Sequence, residues 1–249
     1  MNTKRSAARS EWVLAWEEDF LGDAPDSNTW TRCTRGKPDW QNTMSDDPRL
    51  VVVKDSILHL RGIVNDRKDD DAPYLTAGLT SKGKYAFLHG KVQIKARFKS
   101  AQGAWPALWM LGAEEKWPQG GEIDIMEHLN FDSKVYQTVH SEYTVVLKGE
   151  EPAKSATAEI QRDDWNTYGF EWDSGKIVFT VNGKPTFTYP RVPEKGKEQW
   201  PFNRPFYFIL SMQIGGQWVN APGPTDPAHY PAGMEIDWIR VYQRKDVAN

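Results

Sequence analysis

The run Gly120-Gly121-Glu122-Ile123-Asp124-Ile125-Met126-Glu127-His128 sets three carboxylates among β-forming neighbours. Two carboxyl groups facing one substrate bond can divide the work between a proton donor and a nucleophile or base, as glycosidic bond hydrolysis requires. On a regular strand, alternate side chains share a face, so Glu122 and Asp124 point one way and Glu127 the other. A one-residue bulge near Met126 would return Glu127 to the face of its partners, and bulges re-aim side chains beside active sites. The spacing predicts that bulge. With it, Glu122 and Glu127 stand effectively four strand positions apart, about 13 Å between Cα atoms, and two leaning Glu side chains close much of the gap. Carboxylates in line repel one another, which raises at least one pKa, as a general acid near neutral pH needs. A carboxyl separation of about 5–5.5 Å would give retention and a wider one inversion; the spacing alone leaves both open. The competing reading is an amphipathic strand with a solvated acidic face.

The elements that must position these groups are short. Apolar or alternating runs occur at 12–16, 50–53, 57–63, 91–98, 107–111, 122–127, 135–140, 168–172, 176–181, 206–214 and 234–242, separated by turn residues, which is the pattern of strands. Asn182-Gly183 between 176–181 and Thr186-Phe187-Thr188 favours a type I′ hairpin turn. Long capped helical patterns are missing, so the expected fold is all-β, a jelly-roll sandwich of two antiparallel sheets with only short helices. Residues 1–10 read as a disordered leader and 11–245 as one domain. The polar stretch 65–72 reads as an exposed loop with a solvated charge run.

The 249 residues carry 31 basic and 34 acidic side chains for a net charge of −3, which argues against a nucleic-acid-binding protein because the clustered cations that phosphate demands are absent. No stretch reaches the roughly 18 apolar residues that span a bilayer. The single cysteine, Cys33, excludes an internal disulfide and a CxxC pair. Five scattered histidines without HExxH give no catalytic zinc site. The segment Gly78-Leu79-Thr80-Ser81-Lys82-Gly83-Lys84 imitates a phosphate loop, but Tyr85 stands where Ser or Thr is required. GxSxG is absent. Tryptophan is unusually abundant, 12 against 10 Phe and 9 Tyr, and flat indoles serve either a core or a sugar platform.

Upstream of the acidic run lie Gly103-Ala104-Trp105-Pro106-Ala107-Leu108-Trp109-Met110-Leu111 and Trp117-Pro118-Gln119-Gly120-Gly121. With the ExDxxE spacing, this resembles the laminarinase-like branch of glycoside hydrolase family 16, whereas another branch has the shorter ExDxE. Gly90-Lys91-Val92-Gln93-Ile94-Lys95-Ala96-Arg97-Phe98, Thr138-Val139-His140, Gly215-Gly216 and Glu235-Ile236-Asp237-Trp238-Ile239-Arg240-Val241-Tyr242-Gln243 extend the resemblance across roughly residues 11–243.

The resemblance implies a concave glycan cleft with Glu122 as nucleophile, Glu127 as acid/base and Asp124 between them, hydrogen-bonded to Glu122 and modulating the pair. It also implies Trp105, Trp109, Trp117, His140 and Asn42 as substrate-binding residues, no cofactor for catalysis, and a structural calcium on the convex face, held through backbone carbonyls and an Asp near the last strand at positions matching Asp19, Ser56 and Asp237. Many laminarinase-like relatives carry an Arg in the segment that here reads Leu75-Thr76-Ala77-Gly78-Leu79; without it, mixed-linkage β-1,3-1,4-glucan and β-1,3-glucan both remain open. The implied activity is that of a retaining endo-β-glucanase acting as a monomer, secreted or at the cell surface because its polymeric substrate crosses no membrane. The alternatives are a non-catalytic glycan-binding protein on the same scaffold, the same mechanism on a galactan as in agarases and carrageenases, and transglycosylation.

Overall fold

In the computed structural model, residues 10–246 are described; the expected leader therefore falls outside them except for Ser10, which opens the first strand. In chain order the strands are β1 (Ser10–Glu18), β2 (Thr31–Arg32), β3 (Val51–Lys54), β4 (Ile57–Val64), β5 (Tyr74–Leu75), β6 (Ala77–Thr80), β7 (Gly90–Phe98), β8 (Ala104–Gly112), β9 (Glu122–Glu127), β10 (Lys134–His140), β11 (Ser155–Glu159), β12 (Asn166–Trp172), β13 (Lys176–Val181), β14 (Lys184–Pro190), β15 (Phe206–Ile214) and β16 (Ala232–Asp246). Helix is confined to single turns, and no helix among the described residues is long and apolar enough to cross a membrane.

Two antiparallel sheets face each other, as the strand pattern predicts. One runs β14-β13-β12-β7-β16-β4-β3, with β1 paired to β16 and β5 to β4; the other runs β11-β10-β9-β8-β15-β6-β2. Strand β7 shows why the first sheet has one wet face: in Gly-Lys-Val-Gln-Ile-Lys-Ala-Arg-Phe every second residue is buried, so Val92, Ile94 and Ala96 point into the core and the charged side chains outward. Strand β15 is the opposite case. All nine of its residues are buried, because Phe206, Phe208, Leu210, Met212 and Ile214 join the main core while Tyr207 and Ile209 pack with Ala107 and Trp109 in a small cluster on the other face. The β13–β14 hairpin turns at Asn182 and Gly183, both with positive φ, the geometry that Asn-Gly favours.

The charge run at 65–72 is largely exposed, as its composition suggests, and most of its charges are also paired. Arg35 pairs with Asp70 at 2.7 Å, Arg49 with Asp66 and Asp47, and Arg67 with Asp46 and Asp69. Alternating signs brought together by folding tie this loop to 46–49, which a one-dimensional reading of charge does not show.

Candidate active site

The chain enters β9 through Gly121, whose φ is 80° and whose Cβ, if present, would fall 2.7 Å from Pro201 Cγ. Glycine alone tolerates that backbone and that contact. The expected bulge follows. Strand β8 pairs Trp109 with Asp124 and Leu108 with Met126, leaving Ile125 unopposed, while β10 steps from Thr138 opposite Asp124 to Tyr136 opposite Glu127. Ile125 and Met126 both enter the core with no exposure. Glu122, Asp124 and Glu127 consequently share one face and line one cleft of about 480 Å³.

The trio is electrostatically graded. Burial pushes Glu122 up to about 7, against the lowering influence of hydrogen bonding with Asp124 and Trp117 and of the Lys154 ammonium. Burial raises Glu127 to about 8, helped by the charge of Glu122 and opposed by the Trp105 indole, which donates to Oε1 at 3.1 Å. Asp124, 2% exposed, lies well above the ordinary carboxyl range because of burial and then of its two carboxylate neighbours. Desolvation, more than the mutual repulsion expected from the acidic spacing, is the larger cause of these shifts. Asp124 is thus held toward its protonated form and can hydrogen-bond to Glu122, supporting the negative charge there. His140 Nε2 lies 3.4 Å from Asp124 Oδ2. Burial and Lys154 lower His140 to about 4, so it is a neutral imidazole beside a carboxylic acid. Glu122 is then equipped to attack as an anion and Glu127 to deliver a proton at neutral pH.

Trp105 and Trp109 both line the cleft, as expected from their shared face. They do so differently: Trp109 is 6% exposed, donates to Ser211 Oγ at 3.1 Å and meets Trp40 edge-on at 4.8 Å, forming part of the floor. Trp105 stands beside Glu127 with Trp218 edge-on at 5.7 Å, and Tyr136 meets Trp218 at 5.1 Å. His140 also lines the cleft. Trp117 stands close enough to Glu122 to help hold its pKa down, and Asn42 sits at the edge of the cleft. Trp117, exposed, borders an adjoining hollow of about 310 Å³ with Lys82, Glu115 and Tyr207, and Asn42 reaches the cleft only through Gln213, whose Nε2 donates to Asn42 Oδ1 at 3.0 Å. Sequence reasoning passed over Trp40, Tyr136, Lys154, Ser211, Gln213 and Trp218, all of which line the cleft. Tyr136 carried a signal, since it alternates in phase with Thr138 and His140. Trp218, two residues beyond Gly215-Gly216, carried a weaker one.

The residues implied for calcium are arranged as ion pairs. Asp19 Oδ1 accepts from Arg240 Nη2 at 2.5 Å, and Asp237 Oδ2 lies 2.8 Å from Lys95 Nζ. Ser56 sits in the β3–β4 turn with positive φ. Both carboxylates face a cation, and the backbone carbonyls expected to complete a calcium cage carry no charge of their own. Among the described residues, the group of metal-ligating type is Glu122, Asp124 and His140, with ligand atoms within 4.8 Å of one another, and it coincides with the acid trio.

Comparison with known proteins gives a consistent picture. The family described as "Glycosyl hydrolases family 16" matches residues 38–240. The chain is 36% identical over 244 residues to a keratan-sulfate endo-1,4-beta-galactosidase of Sphingobacterium multivorum, which covers 96% of this chain and 57% of that protein. The chain thus spans little more than half that relative's length. It is 30% identical over 256 residues to a beta-glucanase of Rhodothermus marinus, covering 98% of this chain and 89% of that one. The X-ray structure of the laminarinase from Rhodothermus marinus superposes with a TM-score of 0.86 at 28% identity, over 95% of this chain and 99% of that one.

Proposed function

The chain belongs to glycosyl hydrolases family 16, and on that premise we propose that it cleaves internal bonds of β-1,3-glucan, of mixed-linkage β-1,3-1,4-glucan, or of both, by double displacement with net retention. The observation that carries this reading is the bulge at Ile125, which puts Glu122 and Glu127 on one wall of one cleft. In the first step a Glu122 oxygen bonds to the anomeric carbon as the bond from that carbon to the leaving oxygen breaks, and Glu127 gives that oxygen its proton. In the second, a water oxygen attacks the same carbon, Glu127 takes the water proton, and the bond to Glu122 breaks. Asp124 holds a proton toward Glu122 and balances its charge as it is consumed and regenerated. Trp105, Trp109 and Trp40 offer indole surface to the apolar faces of the sugars. A polymer lying across this cleft acts outside the membrane, so export and action as a monomer belong to the same proposal.

A second reading, cleavage of a galactan, is favoured by one observation: the identity to the keratan-sulfate galactosidase, 36%, exceeds that to the beta-glucanase, 30%, over nearly the whole chain. The deciding experiment is a product profile on laminarin, barley mixed-linkage glucan, agarose, keratan sulfate and carboxymethyl-cellulose, with the anomeric configuration of the first products followed by proton NMR. Short β-configured oligosaccharides from either of the first two support the glucanase reading. Release only from a galactan replaces it with the second, and α-configured first products refute retention. Glu122→Ala should abolish release while the protein remains folded, and azide should restore turnover as an α-glycosyl azide.

A further inference from the structure

The two ends of the cleft across the strands differ in chemistry. On the β15 side stand Trp40 and Trp109 with Ser211 and Gln213; on the β11 side stand Thr138, His140, Lys154 and Ser155, with no indole among them. Strand β11 is the outer edge of this sheet, and its approach is fixed: Val139 N–H donates to the Lys154 carbonyl at 2.9 Å, and Ser155 pairs with Thr138. The Lys154 side chain is therefore held at the mouth of the cleft beside the acid trio. It is exposed, and its ammonium takes part in none of the ion pairs of the described residues. With His140 neutral, it is the cation of the cleft lining.

A sugar ring without charged substituents is recognised by an aromatic platform and by hydroxyl-matching hydrogen bonds, and the β15 side supplies both. The β11 side instead supplies a flexible, strongly hydrated point charge. We propose that Lys154 is a specificity-determining residue that binds an acidic substituent, a sulfate ester or a carboxylate, on the sugar at the β11 end of the cleft. The substrate class is then a β-linked glycan with neutral sugars against Trp40 and Trp109 and an anionic one against Lys154. This inference rests on the reading of the cleft as a glycan site, and within it on the second, galactan reading, because β-1,3-glucan and mixed-linkage glucan carry no anionic substituent.

The rival role for Lys154 is purely internal, support of the Glu122 charge, and the two separate cleanly. The experiment compares kcat/KM for laminarihexaose with its 6-O-sulfated and its carboxymethylated forms, and for desulfated keratan with keratan sulfate, in wild type, Lys154→Met and Lys154→Arg. The proposal expects the wild type to prefer the charged member of a pair, Lys154→Met to lower that preference at least tenfold, and Lys154→Arg to retain most of it. Raising salt from about 0.01 to about 1 M, which shortens the Debye length from about 30 to about 3 Å, should erase the wild-type preference and leave Lys154→Met unmoved. Sulfate and carboxylate sources are told apart by which derivative is preferred. Equal loss on charged and uncharged members, with a shifted pH profile, assigns Lys154 to Glu122 and overturns the proposal, as does a wild type without preference. If neither member of any pair is cleaved, the hydrolase reading fails by itself, and calorimetric binding of the same pairs to Glu122→Gln decides Lys154: charge-dependent affinity lost in the double variant supports it, and its absence refutes it.

Discussion

Replacing Trp105 by Phe removes one N–H and keeps an aromatic face. That N–H donates to Glu127 Oε1 at 3.1 Å and is the influence that holds the Glu127 pKa down against burial and the Glu122 charge. A hydrogen bond to a charged acceptor contributes about 1.5–3 kcal/mol and one to a neutral acceptor about 1, so the ionised form of Glu127 loses about 1 kcal/mol more than the protonated form. At 1.36 kcal/mol per unit this raises the pKa by about 0.7. Glu127 must be protonated to serve as the acid, and the alkaline limb of kcat/KM reports free-enzyme groups. That limb is expected near pH 8 in the wild type and about 0.7 unit higher in Trp105→Phe. The assay is initial-rate hydrolysis across the alkaline range with a folded-state check at each pH. An alkaline limb that stays in place or moves toward acid refutes the reasoning. A Trp218→Phe control that shifts it equally would assign the effect to aromatic cover, since Trp218 touches Trp105 edge-on and makes no bond to Glu127.

Stability should depend on pH in a direction set by the same groups. Glu122, Asp124 and Glu127 have folded-state pKa values above their ordinary ones, so their contribution is complete below the ordinary carboxyl range and is lost as pH rises through about 7 and about 8. His140, lowered to about 4, penalises folding as pH falls below its ordinary 6.5. Thermal melts should therefore peak in mildly acidic buffer, and Asp124→Asn should flatten the alkaline decline; a Tm that rises steadily to pH 9 would contradict both signs. Gly121→Ala must accommodate a Cβ 2.7 Å from Pro201 Cγ at a positive φ, with an expected destabilisation of about 1–3 kcal/mol and lost activity through displaced Glu122, checked by melting and rate together. Trp218→Ala, at a residue 41% exposed, should raise KM about threefold to tenfold, the worth of an aromatic contact, with little change in Tm; an unchanged KM would remove Trp218 from the glycan path.

Much of the scaffold was legible because it follows from period. The alternation in β7 and the Asn182-Gly183 turn each specify their conformation locally, and the ExDxxE spacing required a bulge for three acids to cooperate. What was not legible depends on partners distant in sequence. Strand β11, Ser-Ala-Thr-Ala-Glu, has little β-forming character and exists because β10 presents an edge to it. Trp40 lies on a short turn without periodic pattern and becomes a cleft residue only by meeting Trp109. Lys154 offered no motif; only the pairing beside Val139 gives it a position. Asp19 and Asp237 look like free carboxylates in the sequence, yet Arg240 and Lys95 occupy them.

The pairing across β8 has a consequence for how this chain tolerates change. Glu122 stands opposite Leu111 and Glu127 opposite Ala107, so the distance between the two acids is measured on the neighbouring strand, by residues that contain no insertion. The extra residue in β9 is absorbed inward, as one more apolar side chain in the interior. Loss of Ile125 would restore simple alternation and leave all three acids on their present face, opposite the same β8 positions. A single-codon deletion at the centre of the catalytic strand, which ordinarily turns every following side chain to the other face, is here expected to leave the three acids facing as they do now. The cost of losing Ile125 would fall on the core it fills and not on the orientation of the acids.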